Sequence, residues 1–276
     1  MFEFAAKTIQ ENWLITVVVI NLVLGMCSGF LAGLFGIGGG LVIVPVLVML
    51  FKAQGLPPNL IMIMAIATSL ATIIMTSTSS VLAHHRLGSV LWDKVIRLTP
   101  GILIGAMLGA TIADNLRTDY LRLIFVLFLL YVGCQMALGT TPKSGTASYS
   151  KSLDFFVACA IGLLSSLVGI GGGTLTVPYL AHCRYPMRNA VAISSACGLP
   201  IALASTASYV ALGIKATHLP DLSLGYVYVP SFLGVGFGSL FTAPIGAKLA
   251  HKLPAKQLKS YFSILIFLMA IKLVWF

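Results

Sequence analysis

The sequence predicts an all-α, polytopic transmembrane helical bundle of two homologous, inverted repeats, with about eight to ten membrane segments, two of them discontinuous or re-entrant. Three observations predict it. The 276 residues are 58% hydrophobic and only 9% charged, against about 25% charged in a soluble domain, so too few charges exist to cover a surface facing water. Apolar runs recur along the chain at the length of membrane spans, roughly 20 residues each. One glycine motif occurs twice, followed each time by the same order of segments.

The apolar runs fall at 13–35, 41–51, 60–83, 95–113, 120–138, 153–168, 174–182, 190–213, 225–247 and 260–275. The first is too long for a signal-peptide core, and Glu3 and Glu11 flank it, so it reads as a retained helix. The second and seventh are too short to cross the ~30 Å hydrocarbon core alone, and each directly follows a glycine cluster. The run 35–45, FGIGGGLVIVP, recurs at 168–178 as VGIGGGTLTVP. A Ser/Thr-rich segment follows in each half, Thr68 to Ser80 and Ser194 to Ser208. A glycine-spaced segment comes next (Gly101, Gly105, Gly109; then Gly234, Gly236, Gly238), and last an apolar helix opened by Leu121-Arg122 or Leu258-Lys259. This order reads as an internal duplication: a first repeat over 13–139, a linker over 140–152, the longest polar stretch, and a second repeat over 153–276.

The net charge of +10 forms no continuous basic face, which argues against nucleic acid. Its Lys and Arg sit between apolar runs, as the positive-inside bias requires. With the N-terminus outside, Arg86, Lys94, Arg97, Lys143, Lys151, Arg184, Arg188, Lys248, Lys252, Lys256 and Lys259 lie inside. Lys7, Lys52, Arg117, Arg122, Lys215 and Lys272 lie outside. Each repeat then crosses an odd number of times, and the two halves are inverted. Parallel halves in eight spans are the alternative, if only one arm of each glycine unit crosses.

The paired motifs are the candidate site. Four glycines in five residues do not hold a regular helix in place, and irregular backbone survives at membrane depth only where protein or water covers it. The short segment after each cluster starts a half-helix, and a helix N-terminus attracts anions. Two such breaks in corresponding positions of two halves point to a transporter's binding site; the competing reading is tight helix packing. The substrate-binding set is therefore Gly36, Gly38, Gly39, Gly40 and Leu41 with Gly169, Gly171, Gly172, Gly173 and Thr174. Hydroxyls of Thr68, Ser69, Ser194 and Ser195 complete the set, although membrane helices also satisfy hydroxyls on their own carbonyls. No GK[ST] follows the glycines and no acidic residue stands about 20 residues on, which excludes a nucleotide loop.

No Asp, Glu, Lys or Arg sits centrally in the long runs, which weakens any model with a buried carboxylate proton carrier. His84, His85 and His182 near segment ends read first as interfacial basic residues, and Asn21 and Gln135 as interhelical hydrogen bonders. Trp13, Trp92 and Trp275 read as interfacial anchors. Cys27, Cys134, Cys159, Cys183 and Cys197 form no CxxC pair, so neither a metal site nor a disulfide framework is expected, and Cys197 reads as a small buried thiol. No cofactor is implied. An enzyme would need a nucleophile with its base or a metal site; no HExxH and no Asp pair occurs in the runs. A scaffold role would leave the glycine breaks without a purpose.

The motif GxGGGxxxxP, on Gly36, Gly38, Gly39, Gly40 and Pro45 and again on Gly169, Gly171, Gly172, Gly173 and Pro178, resembles that of the sulfite exporter TauE/SafE family of membrane transporters. The resemblance runs from about Leu14 to Trp275. It implies transport of sulfite, a sulfonate such as sulfoacetate, or a related sulfur compound across the cytoplasmic (inner) membrane; the residues alone give only a small anion. The expected mechanism is alternating access, with a passive anion channel as the rival. Lipid, the anionic substrate, a coupling proton or ion, and a homodimer are the compatible partners.

Overall fold

A computed structural model describes residues 18–31, 33–34, 39–138, 150–249 and 255–275. The described residues form ten helices: α1 (Val18–Leu31), α2 (Gly40–Ala53), α3 (Pro58–Arg86), α4 (Trp92–Asn115), α5 (Thr118–Leu138), α6 (Lys151–Val168), α7 (Gly173–His182), α8 (Met187–Gly213), α9 (Val229–Leu249) and α10 (Ala255–Val274). Helices α3, α4, α5, α8 and α9 are long and apolar enough to cross a membrane. Gly36 and Gly38, with most of the linker, lie outside the described residues.

One expectation needs correction. The run 225–247 does not open as helix: β1 (Ser223–Leu224) and β2 (Val227–Tyr228) form a small antiparallel hairpin ahead of α9. Leu222 (φ 63°) and Gly225 (φ 54°) take left-handed conformations there, which a helix does not accommodate. Pro230 then falls in the first turn of α9, where its missing N–H costs no bond.

Helix α3 is buried nearly all round and packs antiparallel to α8, with Ser80 against Ser195 and Ser77 against Gly198. These two helices form the centre. Around them, α4, α5, α9 and α10 turn rows of large apolar side chains outward, such as Ile104, Met107 and Leu108 on α4 and Phe237, Phe241 and Ile245 on α9. In water this would be an aggregation surface; against lipid it is the ordinary outer face.

The glycine-spaced segments are close-packing faces. Gly101, Gly105 and Gly109 of α4 lie against the backbone of Phe155, Cys159 and Leu163 on α6, in rising order, so α4 and α6 run parallel. Gly234, Gly238 and Gly246 of α9 meet Asn21, Leu22 and Phe30 of α1 in the same sense, so α1 and α9 also run parallel. No Cβ fits at these glycines, which is the small-residue packing that joins helices in lipid.

The path of α7 follows from one contact. Its Tyr179 hydroxyl bonds Asp154, near the start of α6. The chain therefore rises along α6, breaks over Gly169 to Gly172, and returns along α7 to the end where α6 began. At that end Arg188, at the start of α8, bonds Ser89 Oγ (2.7 Å) and the Leu87 carbonyl (2.8 Å) of the α3–α4 turn. Helix α2 closes toward the opposite end, where Phe51 meets the ring of Tyr228 edge-on. The hairpin is anchored there: Tyr226 donates to Asp114 (2.7 Å), and burial with that carboxylate pushes its hydroxyl up to about 12.

Candidate functional site

Among the described residues, α2 and α7 each start on a glycine of its run. Gly39 (φ 76°) caps α2 and Gly172 (φ 74°) caps α7, each in the left-handed conformation that costs other residues about 1–2 kcal/mol. Gly169 (φ 74°) ends α6, and the Ile170 amide bonds back to the Ser165 carbonyl (3.0 Å). In α7 the first intrahelical bonds are made by the Leu175 and Thr176 amides to the Gly172 carbonyl (3.1 and 2.8 Å). The amides of Gly173 and Thr174 precede them and have no partner within the helix.

The two breaks meet. A Cβ on Gly40 would strike the Gly169 carbonyl and stand 2.9 Å from Ile170 Cα, so the start of α2 touches the second break directly. Gly40 and Gly169, far apart in sequence, thus come together at the ends of two half-helices that point away from each other. Helices α3 and α8 flank this junction. Ser69 Oγ donates to the Gly169 carbonyl (2.8 Å), and Gly198 lies against Ser77 Oγ and the Gly171 carbonyl.

The hydroxyls at the junction divide into two groups. Ser69 is committed to Gly169, Thr68 accepts the Tyr228 amide (3.0 Å), and Ser80 donates to Ser195 (3.2 Å). Ser194 is buried and has a partner. By contrast, Ser165, Thr174 and Thr176 are 1%, 4% and 0% exposed, and their hydroxyls find no hydrogen-bond partner among the described residues. Such groups usually bond a carbonyl one turn back. For Thr176 that carbonyl is Gly172, which already takes two amides. The position of a Cβ on Gly172 lies 3.4 Å from Ser165 Oγ and 3.5 Å from Thr176 Oγ1, so these two hydroxyls flank the capping glycine.

This polar group has no like at the first glycine motif's Leu41 and Ile43. Leu41 and Ile43 stand where the second copy of the motif has Thr174 and Thr176, and both are fully buried in apolar core. Sequence reasoning singled out Thr174 and missed Ser165 and Thr176. The TLT against LVI difference after otherwise identical glycines was the available signal.

A second polar cluster was missed outright. Lys94 of α4 (6% exposed) places Nζ 2.7 Å from both carboxylate oxygens of Asp154 on α6 (0% exposed). Tyr179 donates to the same carboxylate, and Arg97 stands 3.8 Å away. Lys94 also sits 5.7 Å from the ring centres of Tyr179 and Tyr185. Both charges lie within one turn of their helix starts, so in sequence they look like loop charges; parallel packing of α4 and α6 buries them together.

Among the described residues no group of three or more His, Cys, Asp or Glu could hold a metal. Among the described residues, the start of α7 presents amide and hydroxyl donors with no Lys or Arg in the second glycine run.

The chain is 35% identical over 259 residues to a probable membrane transporter protein of Haemophilus influenzae, covering 94% of this chain and 98% of that one. It is 28% identical to a probable membrane transporter protein of Methanocaldococcus jannaschii, covering 91% and 92%. It is also 28% identical to the probable membrane transporter protein YunE of Bacillus subtilis, covering 93% and 97%. No solved structure matches. The family model for the sulfite exporter TauE/SafE matches residues 21–273. With its long apolar helices, its paired breaks and this match along nearly its whole length, the chain belongs to the sulfite exporter TauE/SafE family: it is a multi-pass membrane transporter, not an enzyme.

Proposed function

We propose that the protein carries a small sulfur oxyanion or organosulfonate, sulfite or a sulfoacetate-like molecule, across the cytoplasmic (inner) membrane by alternating access. The observation that carries this reading is the meeting of two broken helices beside unpartnered buried hydroxyls. The amides of Gly173 and Thr174, with Ser165 and Thr176, hold the anion's oxygens at the start of α7, where the helix dipole favours negative charge. A buried hydroxyl without a partner is costly, so its retention is accounted for by a guest that completes the bond. The start of α2, through Gly40 and Leu41, forms the apolar wall opposite and suits the carbon end of a sulfonate. The sulfur is supported by the family, and the anion by the donors.

In this reading the repeats are inverted, joined near 140–152. The hairpin of α6 and α7 opens toward the end bearing Arg184 and Arg188, and the hairpin of α1 and α2 toward the other. The matched parallel pairs, α4 with α6 and α1 with α9, support the inversion, as does the antiparallel α3–α8 centre. The Arg-rich end then faces the cytoplasm. Inverted repeats around a site at two broken helices are the architecture on which rocking exposes one site to each side in turn.

The test is uptake of labelled sulfite and sulfoacetate into proteoliposomes holding the purified protein. Saturable uptake, accelerated by substrate preloaded on the far side, is expected. Flux without such trans-acceleration would make the protein an anion channel, and no saturable flux of any sulfur oxyanion would overturn the reading.

A further inference from the structure

The unpartnered hydroxyls near the second break fall on two faces. Ser165 and Thr176 flank Gly172, the cap of α7. Ser166, the next residue of α6, is turned about 100° round the helix. Its Oγ is 0% exposed and has no hydrogen-bond partner among the described residues. On α8, Ser205 is in the same condition. Tyr209 joins the two. Its hydroxyl donates to the Ser166 carbonyl (3.0 Å). It follows Ser205 by four positions, and a long side chain on a helix leans over the turn before its own Cα. Two buried serine hydroxyls and a phenol therefore converge on the last turn of α6. Ile201, one turn before Ser205, lies against Gly172, so this cluster sits at the depth of the break rather than at an end of the bundle.

Serines in membrane helices ordinarily bond the carbonyl one turn back. For Ser166 and Ser205 these are Gly162 and Ile201, and neither bond is made. Two unmet buried hydroxyls are costly, and a guest that uses their oxygens offsets that cost. The surroundings decide its charge. The C-terminus of a helix carries partial negative charge, and the carbonyls of Leu167 and Val168 close α6 as orphan acceptors. Asp114 of α4 lies within electrostatic reach of Tyr209. It accepts from Tyr226, and among the described residues no Lys or Arg pairs with it. These features favour a cation. Its ligands are neutral oxygens, whereas divalent ions are held by carboxylates, so its charge is single. Helix α4 presses directly on the site: a Cβ on Gly109 would stand 2.9 Å from Ser166 Cβ. So little space favours sodium over potassium.

We propose, on the anion-carrier reading above, that Ser166 Oγ, Ser205 Oγ and Tyr209 Oη hold a sodium ion at the end of α6, beside the anion at the start of α7, and that each ion strengthens binding of the other. Tyr209 keeps its proton on the Ser166 carbonyl and offers the ion a lone pair. The serines do the same once their protons turn to the Gly162 and Ile201 carbonyls. The break supplies both poles, with the negative end of α6 toward the sodium and the positive end of α7 toward the anion. Ser165 and Ser166 are consecutive, so the two ions are near neighbours where the dielectric is low and opposite charges attract strongly. This also accounts for an anion site with no Lys or Arg in the second glycine run: the countercharge is taken from solution.

The experiment is thermal unfolding of the full-length protein in detergent, in sodium, potassium or choline chloride at equal ionic strength, with and without sulfoacetate as its choline salt. Without anion, wild type should melt higher in sodium than in potassium or choline, by an amount that grows with sodium concentration as mass action requires. Sulfoacetate should bind roughly tenfold more tightly in sodium than in choline, because coupling between two bound ligands is reciprocal. Ser166→Ala and Ser205→Ala should each lose the sodium increase and the tenfold ratio, while keeping the sulfoacetate affinity measured in choline. A wild type that melts alike in all three salts overturns the inference, since an ordered water then completes the hydroxyls. So does a sodium increase that survives in both variants, and a sulfoacetate affinity that sodium leaves unchanged overturns the coupling. Where neither variant folds, binding of radioactive sodium to wild type decides. Saturable binding that excess potassium does not displace, and that sulfoacetate tightens, is expected; no saturable binding overturns the inference. Sulfoacetate that binds in no salt counts against the anion-carrier reading, and the sodium increase without anion then judges the cation site alone.

Discussion

Replacing Thr176 by valine separates what this hydroxyl does for folding from what it does for binding. Valine has nearly the same shape, and Thr176 is 0% exposed with no partner among the described residues. Burying such a hydroxyl costs about 1–3 kcal/mol by protein mutational data, so T176V should make the empty protein more stable by about 1 kcal/mol, allowing for valine's imperfect fit. The bound state should respond oppositely. A hydrogen bond to a charged group contributes about 1.5–3 kcal/mol, so the anion should bind roughly 10- to 150-fold more weakly. Thermal unfolding in detergent, without and with millimolar sulfite or sulfoacetate, reads both effects. The empty variant should melt roughly 2 °C higher, and the ligand-induced increase seen in wild type should be largely lost, since ligands stabilise the folded state by mass action. A variant that melts lower when empty yet keeps the full ligand-induced increase would refute the reasoning, because the hydroxyl would then be a structural group with a hidden partner.

Further predictions follow from other contacts. Ser69→Ala removes the hydrogen bond to the Gly169 carbonyl and should cost about 1 kcal/mol of stability, measurable by thermal melting, with a smaller loss of anion affinity than T176V. Gly105→Val drives a branched side chain into the Cys159 carbonyl and the Leu163 amide nitrogen (2.9 Å) and should destabilise by about 3 kcal/mol; failure to recover a monodisperse protein by size exclusion is the expected readout. Lys94→Met leaves Asp154 buried without its cation and should cost about 3–5 kcal/mol. The double variant K94M/D154N should recover most of that loss in a double-mutant cycle.

The membrane class, the helix breaks and the positions of most helices were legible in the sequence because each rests on a local cause. Apolar runs of span length and glycine clusters act within one stretch of chain. The close-packing role of Gly101, Gly105 and Gly109 was visible as spacing, but its partner α6 was not. Pairing across the fold accounts for what was missed. Lys94 and Asp154 are 60 positions apart and each sits near a helix start, so only the parallel packing of α4 on α6 makes them one buried pair. Ser165 and Thr176 stand out only once the second break folds α7 back beside α6. Among the hydroxyls chosen from sequence, Thr68, Ser69 and Ser195 have intramolecular partners that local patterning does not reveal. The β1–β2 hairpin was hidden because its residues continue the apolar composition of α9, and two left-handed residues, Leu222 and Gly225, set it apart.

The central claim is that an anion sits where the two broken helices meet. Selenite, a heavier analogue of sulfite, makes it visible: a crystal of the protein soaked with selenite and measured at the selenium edge reveals the anion by anomalous scattering. The account predicts a peak within hydrogen-bonding distance of the Gly173 and Thr174 amides and the Thr176 hydroxyl. A protein that transports selenite but holds it elsewhere, with the starts of α2 and α7 empty, would contradict it.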